Sequence, residues 1–228
     1  VQRASPNKQT GRDGWKPDTI VCHITEGAYG GAVEWLCNPK AVASAHFVVA
    51  QDGRVTQLVS IEDTAWCNGT SPNPAQTTYS GNSTLKTVRD RKTNANLYTV
   101  SIEHEGIWAT TKGRLTLKQL GTTIELVAWI RSEVKRIYNV VIPLDREHIV
   151  GHYQISPINK PNCPGAGFQF DTILKVLHDR ETTVPAVTEA QVIKWLDDEG
   201  IIVASTGGDT AVTYRTLRWA IYKLEHRT

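Results

Sequence analysis

His152 and Cys163 bracket a loop stiffened by Pro157 and Pro161 in the stretch "GHYQISPINKPNCPG". An imidazole and a thiolate are ligands for a borderline-soft cation such as zinc, and the prolines reduce the entropy lost in holding Cys163 in one place. His23, in "TIVCHIT", adds a second imidazole far upstream. Two imidazoles and a thiolate form a three-ligand set that leaves a fourth tetrahedral position open. Structural zinc sites fill all four positions. Catalytic ones keep one open, lower the pKa of a water there to about 7 and polarise a carbonyl. The residues alone leave a second reading standing, in which His152 is a hydrogen-bonded core histidine and Cys163 a small buried apolar residue. In "YTVSIEHEG", Glu103 and Glu105 share one face of a strand while His104 points the other way.

These side chains must be carried by ordered elements. "DTIVCHIT" (18–25) is β-rich, and its alternation turns His23 away from Cys22. A glycine-rich loop then leads into a short helix within 27–38. Residues 44–59 read as a hairpin, two β-branched runs flanking the turn Asp52-Gly53. Residues 68–96 read as a long polar loop, and 97–106 return to strand. The 3.6-residue apolar period of 116–138 predicts a helix, opened by a capping box of Thr116 and Gln119. A short strand is expected over 148–152 and a helix over 170–180. Strands alternating with helices predict an α/β domain over 1–180, a mixed central β-sheet flanked by helices. A linker (181–187) and a small C-terminal helical appendage (188–228) follow. Two helices make a minimal core, so the appendage is expected to lean on the main domain or on a second copy of itself. Trp195, Trp219 and Tyr222 there are either core residues or sugar-binding aromatics.

Composition excludes several classes. The 228 residues carry a net charge of +2, with no like-charge block, which argues against a nucleic-acid partner. No apolar run reaches the roughly 18 residues of a membrane span, so no membrane insertion is expected. The N-terminal stretch lacks a signal-peptide apolar region, which predicts synthesis in the cytoplasm. The four cysteines form no CxxC pair and no dense disulfide framework, and are read as reduced thiols with a Cys37–Cys67 bridge left open.

The segments "IVCHIT", "ASAHFVVAQDGRVTQLV" with "AWCNG", "YTVSIEHEG" and "VGHYQISPINKPNCPG" together resemble the zinc-dependent N-acetylmuramoyl-L-alanine amidases of the type-2 amidase family, which includes phage endolysins and peptidoglycan recognition proteins. The resemblance covers 18–180. It implies that His23, His152 and Cys163 hold zinc and that Glu103 is the acid/base carboxylate, with Glu105 the runner-up. The hairpin histidine, His46, is then structural rather than a ligand. Ala45 stands where some relatives carry a tyrosine, and Cys67 where many carry histidine. Trp66 and Asn68 are expected to bind substrate by stacking and hydrogen bonding, the plainer reading being a packed tryptophan and a turn asparagine. Relatives often place a lysine two residues before the last ligand; here Pro161 stands there, and Lys160, one residue earlier, is the candidate to stabilise an oxyanion. The implied reaction is cleavage of the amide between the lactyl group of N-acetylmuramic acid and L-alanine in bacterial peptidoglycan by zinc-activated water. The implied setting is a phage lysin released at lysis, or next a secreted autolysin. The alternative is a noncatalytic muropeptide-binding module. For the C-terminal helices, wall anchoring and homodimer formation are both expected roles.

Overall fold

The structure, a computed structural model, describes residues 1–183. In chain order the elements are β1 (Lys8–Gln9), β2 (Thr19–Ile24), α1 (Tyr29–Leu36), β3 (Phe47–Val49), β4 (Val55–Gln57), β5 (Thr64–Ala65), α2 (Lys86–Arg91), β6 (Thr99–His104), α3 (Trp108–Thr111), α4 (Leu117–Tyr138), β7 (Ile149–Gly151), α5 (His152–Ile155) and α6 (Phe170–Thr183). Five strands form one sheet in the order β4-β3-β6-β2-β7, and β1 pairs with β5 in a separate ribbon. Only β3 and β4 pair antiparallel within the large sheet; β3, β6, β2 and β7 run parallel.

Every residue of β2 is buried. Parallel strands covered on both faces read as continuous apolar runs, and "TIVCHI" is such a run with one histidine in it. On one face Ile20, Cys22, Val100 and Ile102 pack under Ile124, Val127, Ile130 and Val134 of α4 and Ile173 and Leu177 of α6. On the other, Val21 and Val150 meet Leu85, Val88 of α2, Tyr98 and Ile155, while Val48 meets Val33 of α1 and Leu58. Each fully buried aliphatic side chain contributes roughly 1.5–3 kcal/mol relative to exposure.

Helix α4 matches its predicted span. Thr116 caps it by accepting a bond from Gln119 N (3.1 Å). The Gln119 side chain does not close a capping box. Its amide instead donates to Val49 O and Glu105 O (both 3.1 Å), fastening the helix start to two strands. The stretch 68–96 is more ordered than expected, since it contains α2 and a 3-10 turn at Ser80–Asn82. Residues Val1–His178 form one compact unit. α6 continues to Thr183, so the first residues of the expected linker are helical. The rest of that linker and the expected appendage (188–228) lie outside the described residues. Among the described residues, no helix is long and apolar enough to cross a membrane.

Candidate active site

The parallel register sets the site. His23 on β2 stands opposite Glu103 on β6, and Cys22 stands opposite Gly151, the last residue of β7. Three strands therefore deliver their carboxyl ends to one edge of the sheet, where α/β folds open a ligand crevice. His152 does not end a strand as expected. β7 stops at Gly151, whose N–H donates to the Gln154 side chain (3.1 Å), and His152 opens the helical turn α5. Cys163 is carried back to this turn by three backbone bonds: Lys160 N to Ser156 O (2.8 Å), Cys163 N to Lys160 O (3.2 Å) and Tyr153 N to Cys163 O (2.9 Å).

The result is a donor cluster. Cys163 Sγ lies 3.7 Å from His23 Nδ1, and the His23 and His152 rings meet at 4.5 Å, 70° apart. One ligand atom from each of the three residues lies within 4.8 Å of the others. Neighbouring ligands on a tetrahedral zinc, with bonds of about 2.0–2.3 Å, stand about 3.5 Å apart. The separation fits such an ion, and so does the chemistry of two imidazoles and a thiol. Burial drives the His23 pKa well below its ordinary value, with His152, His104 and Lys160 adding to the effect. Burial and then Lys160 lower His152 to about 3. Both rings are thus neutral at pH 7 and keep a lone pair for a cation. Burial and the Glu103 carboxylate raise the Cys163 thiol; a bound cation acts in the opposite direction and favours the thiolate.

The five other predicted site residues separate. Glu103 lines the same cleft of about 340 Å3 as His23, His152 and Cys163. Burial raises its pKa to about 7, against the pull of the Cys67 thiol and Lys160. Its Oε2 is buried without a hydrogen-bond partner. Glu105 is committed elsewhere: Oε1 accepts from Tyr29 N (2.9 Å) and Oε2 from Gln51 N (2.7 Å), so the runner-up carboxylate serves the loops around the sheet end. Trp66 and Lys160 line the cleft. Asn68 does not, contrary to expectation. It is fully buried, its amide donates to Thr99 Oγ1 (2.9 Å) and Ser101 Oγ (2.8 Å), and its side chain reaches the His23 ring.

His46 is buried away from the cleft. Its Nδ1 accepts from Ser101 N (3.0 Å), and its Nε2 lies between Asp63 O (3.2 Å) and the Arg12 guanidinium (3.0 Å). All four cysteines are free, so the Cys37–Cys67 bridge does not form. Cys67 is the residue whose placement sequence reasoning missed. Its sulfur lies 3.4 Å from His23 Nε2 and 3.8 Å from Glu103 Oε1, making His23, Cys67 and Glu103 a second donor group that shares the same imidazole. The one available signal was the thiol itself, in a position where the resemblance leads one to expect a histidine.

Residues 13–166 match the family described as N-acetylmuramoyl-L-alanine amidase. The chain is 31% identical over 88 residues to N-acetylmuramoyl-L-alanine amidase A of Achromobacter lyticus, an alignment covering 38% of this chain and 36% of that protein. The chain thus spans about a third of the length of the curated relative it matches. The fold is similar to that of a selenomethionine derivative of AmpD (TM-score 0.51, 20% identity, 77% of this chain and 92% of that one). It is also similar to a mutant structure of PlyL (TM-score 0.53, 16% identity, 78% and 96%).

Proposed function

The chain belongs to the N-acetylmuramoyl-L-alanine amidase family, and we propose that it hydrolyses the amide joining the lactyl group of N-acetylmuramic acid to L-alanine in bacterial peptidoglycan. The observation that carries this reading is the convergence of His23, His152 and Cys163 beside a carboxylate whose buried oxygen has no partner, in one open cleft. Those three residues would hold zinc, which supplies Lewis acidity, lowering the pKa of a water to about 7 and drawing charge from the scissile carbonyl. Glu103 does the proton work. With a pKa near 7 it can take a proton from the attacking water and return it to the leaving nitrogen. Lys160, at the rim of the cleft, puts a positive charge near the carbonyl oxygen as negative charge develops there. Trp66 offers a flat wall against sugar or peptide.

Replacing Glu103 with Gln tests the assignment, with purified cell walls as substrate and released L-alanine amine termini as the readout. The variant should bind walls and lose on the order of 10²–10⁴ in rate. Undiminished amine release would reject the role of Glu103. Stoichiometric binding of muropeptide by the wild type with no released amine would instead favour the binding-module alternative. The setting we propose is a phage lysin ahead of a bacterial autolysin, marked by lysis of cells whose walls are reached from outside. Residues 184–228 are proposed to attach the enzyme to the wall or to a second copy of itself. A chain ending at 183 that still sediments with walls and keeps its mass would argue against both.

A further inference from the structure

We infer that Cys67 is a positioning residue that joins His23 to Glu103, its sulfur accepting the His23 Nε2–H while its own S–H is donated to Glu103 Oε1. The inference rests on the amidase reading above for the role of Glu103. A neutral imidazole has one lone pair and one N–H. His23 Nδ1 faces Cys163 Sγ at 3.7 Å, on the side of the three-donor group that includes His152. If Nδ1 serves a cation, the proton sits on Nε2, with Cys67 Sγ 3.4 Å in front of it and the Asn68 side chain also reaching the ring. Histidine ligands to metals are held in orientation and tautomer by an acceptor on the second nitrogen.

The thiol then has one hydrogen to give. Glu103 Oε1 lies 3.8 Å from it, within reach of a bond to sulfur. This contact fixes one carboxylate oxygen and leaves Oε2 without a partner. The sulfur is itself held rigidly. Cys67 N and Asn68 N both donate to Asn96 Oδ1, at 3.1 and 2.6 Å. The Asn68 amide ties the same segment to Thr99 and Ser101 at the base of β6. Four bonds thus anchor the two residues that place one sulfur atom between a ring and a carboxylate.

The test uses the full chain with Cys67→Ala, Cys67→Val and Cys67→Ser. Zinc affinity is measured by chelator competition, kcat and KM are measured on soluble muropeptide, and absorption spectra are recorded after cobalt substitution. Loss of the acceptor on His23 should weaken zinc binding and lower kcat, each by about 10–100-fold in the Ala and Val variants. KM should stay unchanged, and Ser, which keeps a donor and an acceptor, should recover part of both losses. The thiolate-to-cobalt band should persist in all three variants and vanish in Cys163→Ser. Wild-type zinc affinity and kcat in Cys67→Val would overturn the inference, as would equal losses in Val and Ser. So would loss of a thiolate contribution to the cobalt band in the Cys67 variants, which would make Cys67 a ligand. If the wild type releases no amine at all, the amidase reading fails, while the chelator and cobalt measurements still decide the pairing of Cys67 with His23.

Discussion

A buried histidine outside the cleft makes the domain sensitive to acid. His46 is fully buried, with Ser101 N–H aimed at Nδ1 and the Arg12 guanidinium 3.0 Å from Nε2. Protonating Nδ1 would put two donors face to face beside a cation. Arg12 cannot withdraw, because its guanidinium also donates to the carbonyls of Ile61 (2.8 Å), Leu97 (3.0 Å) and Thr99 (3.1 Å). Burial, reinforced by Arg12, lowers the His46 pKa to about 3. In the unfolded chain a histidine titrates near 6.5. Between pH 6.5 and about 3 the unfolded state therefore binds a proton that the folded state refuses. Stability from the neutral ring is complete above pH 6.5 and falls as pH drops through that window, by up to about 1.4 kcal/mol per pH unit. Urea unfolding with chelator present should show the wild type losing about 2 kcal/mol more between pH 6.5 and 5 than His46→Gln does. Parallel pH dependences for the two proteins would refute the account. The residue types of the site were legible in the sequence because imidazole, thiol and carboxylate are chemically distinctive. Their partners were not: nothing in "AWCNG" shows that Asn68 turns inward to Thr99 and Ser101, or that Cys67 turns outward to His23.

Among elements, the loop carrying Cys163 depends on a turn remote from it in sequence. Gly113, at φ 86°, follows α3, and a Cβ there would lie 2.3 Å from Pro164 O and 2.8 Å from its carbonyl carbon. Backbone meets backbone, so no side-chain rotation relieves the clash, and the positive φ disfavours any other residue. Pro164 follows the proposed last ligand directly. Gly113→Ala should thus destabilise the fold by about 1–3 kcal/mol and weaken zinc binding, read as the urea midpoint and by chelator competition. The contrast is Gly121 on α4, where an added Cβ meets nothing within 4 Å. Gly121→Ala should leave zinc affinity alone and raise stability by roughly 0.5–1 kcal/mol through helix propensity. Equal zinc affinity in the two variants would separate the turn from the loop. Elements with strong local signals were readable. α4 has an apolar period sustained over six turns, and the β3–β4 hairpin has Asp52-Gly53 between β-branched runs. Short pieces whose order comes from tertiary bonds were not. The helical turn that begins at His152 is fixed by Gln154 reaching back to Gly151, and α2 is held by Leu85 and Val88 in the core.

For the molecule as a whole, the same three donors that would serve chemistry also tie together distant parts of the chain. His23 lies on the second strand, His152 after the last strand of the sheet, and Cys163 in the loop that leads to α6. A cation bound only when these converge stabilises the folded state by RT ln(1 + [L]/Kd), about 4 kcal/mol at a thousandfold excess over Kd. For a unit the size of Val1–His178 each kcal/mol corresponds to about 2–4 °C in Tm, so zinc should raise its transition by about 8–16 °C over chelator-treated protein. His152→Ala should abolish the response, because two donors from β2 and the Cys163 loop no longer span the sheet edge. Glu103→Gln should retain it, since that carboxylate is assigned to proton transfer and not to the ion. Calorimetry of the wild type and these two variants, with zinc and with chelator, thus separates the residues that hold the ion from the residue that moves the proton without any activity assay. A zinc response lost in Glu103→Gln and kept in His152→Ala would place the cation in the group made by His23, Cys67 and Glu103, and would reverse the roles assigned to the two ends of the His23 ring.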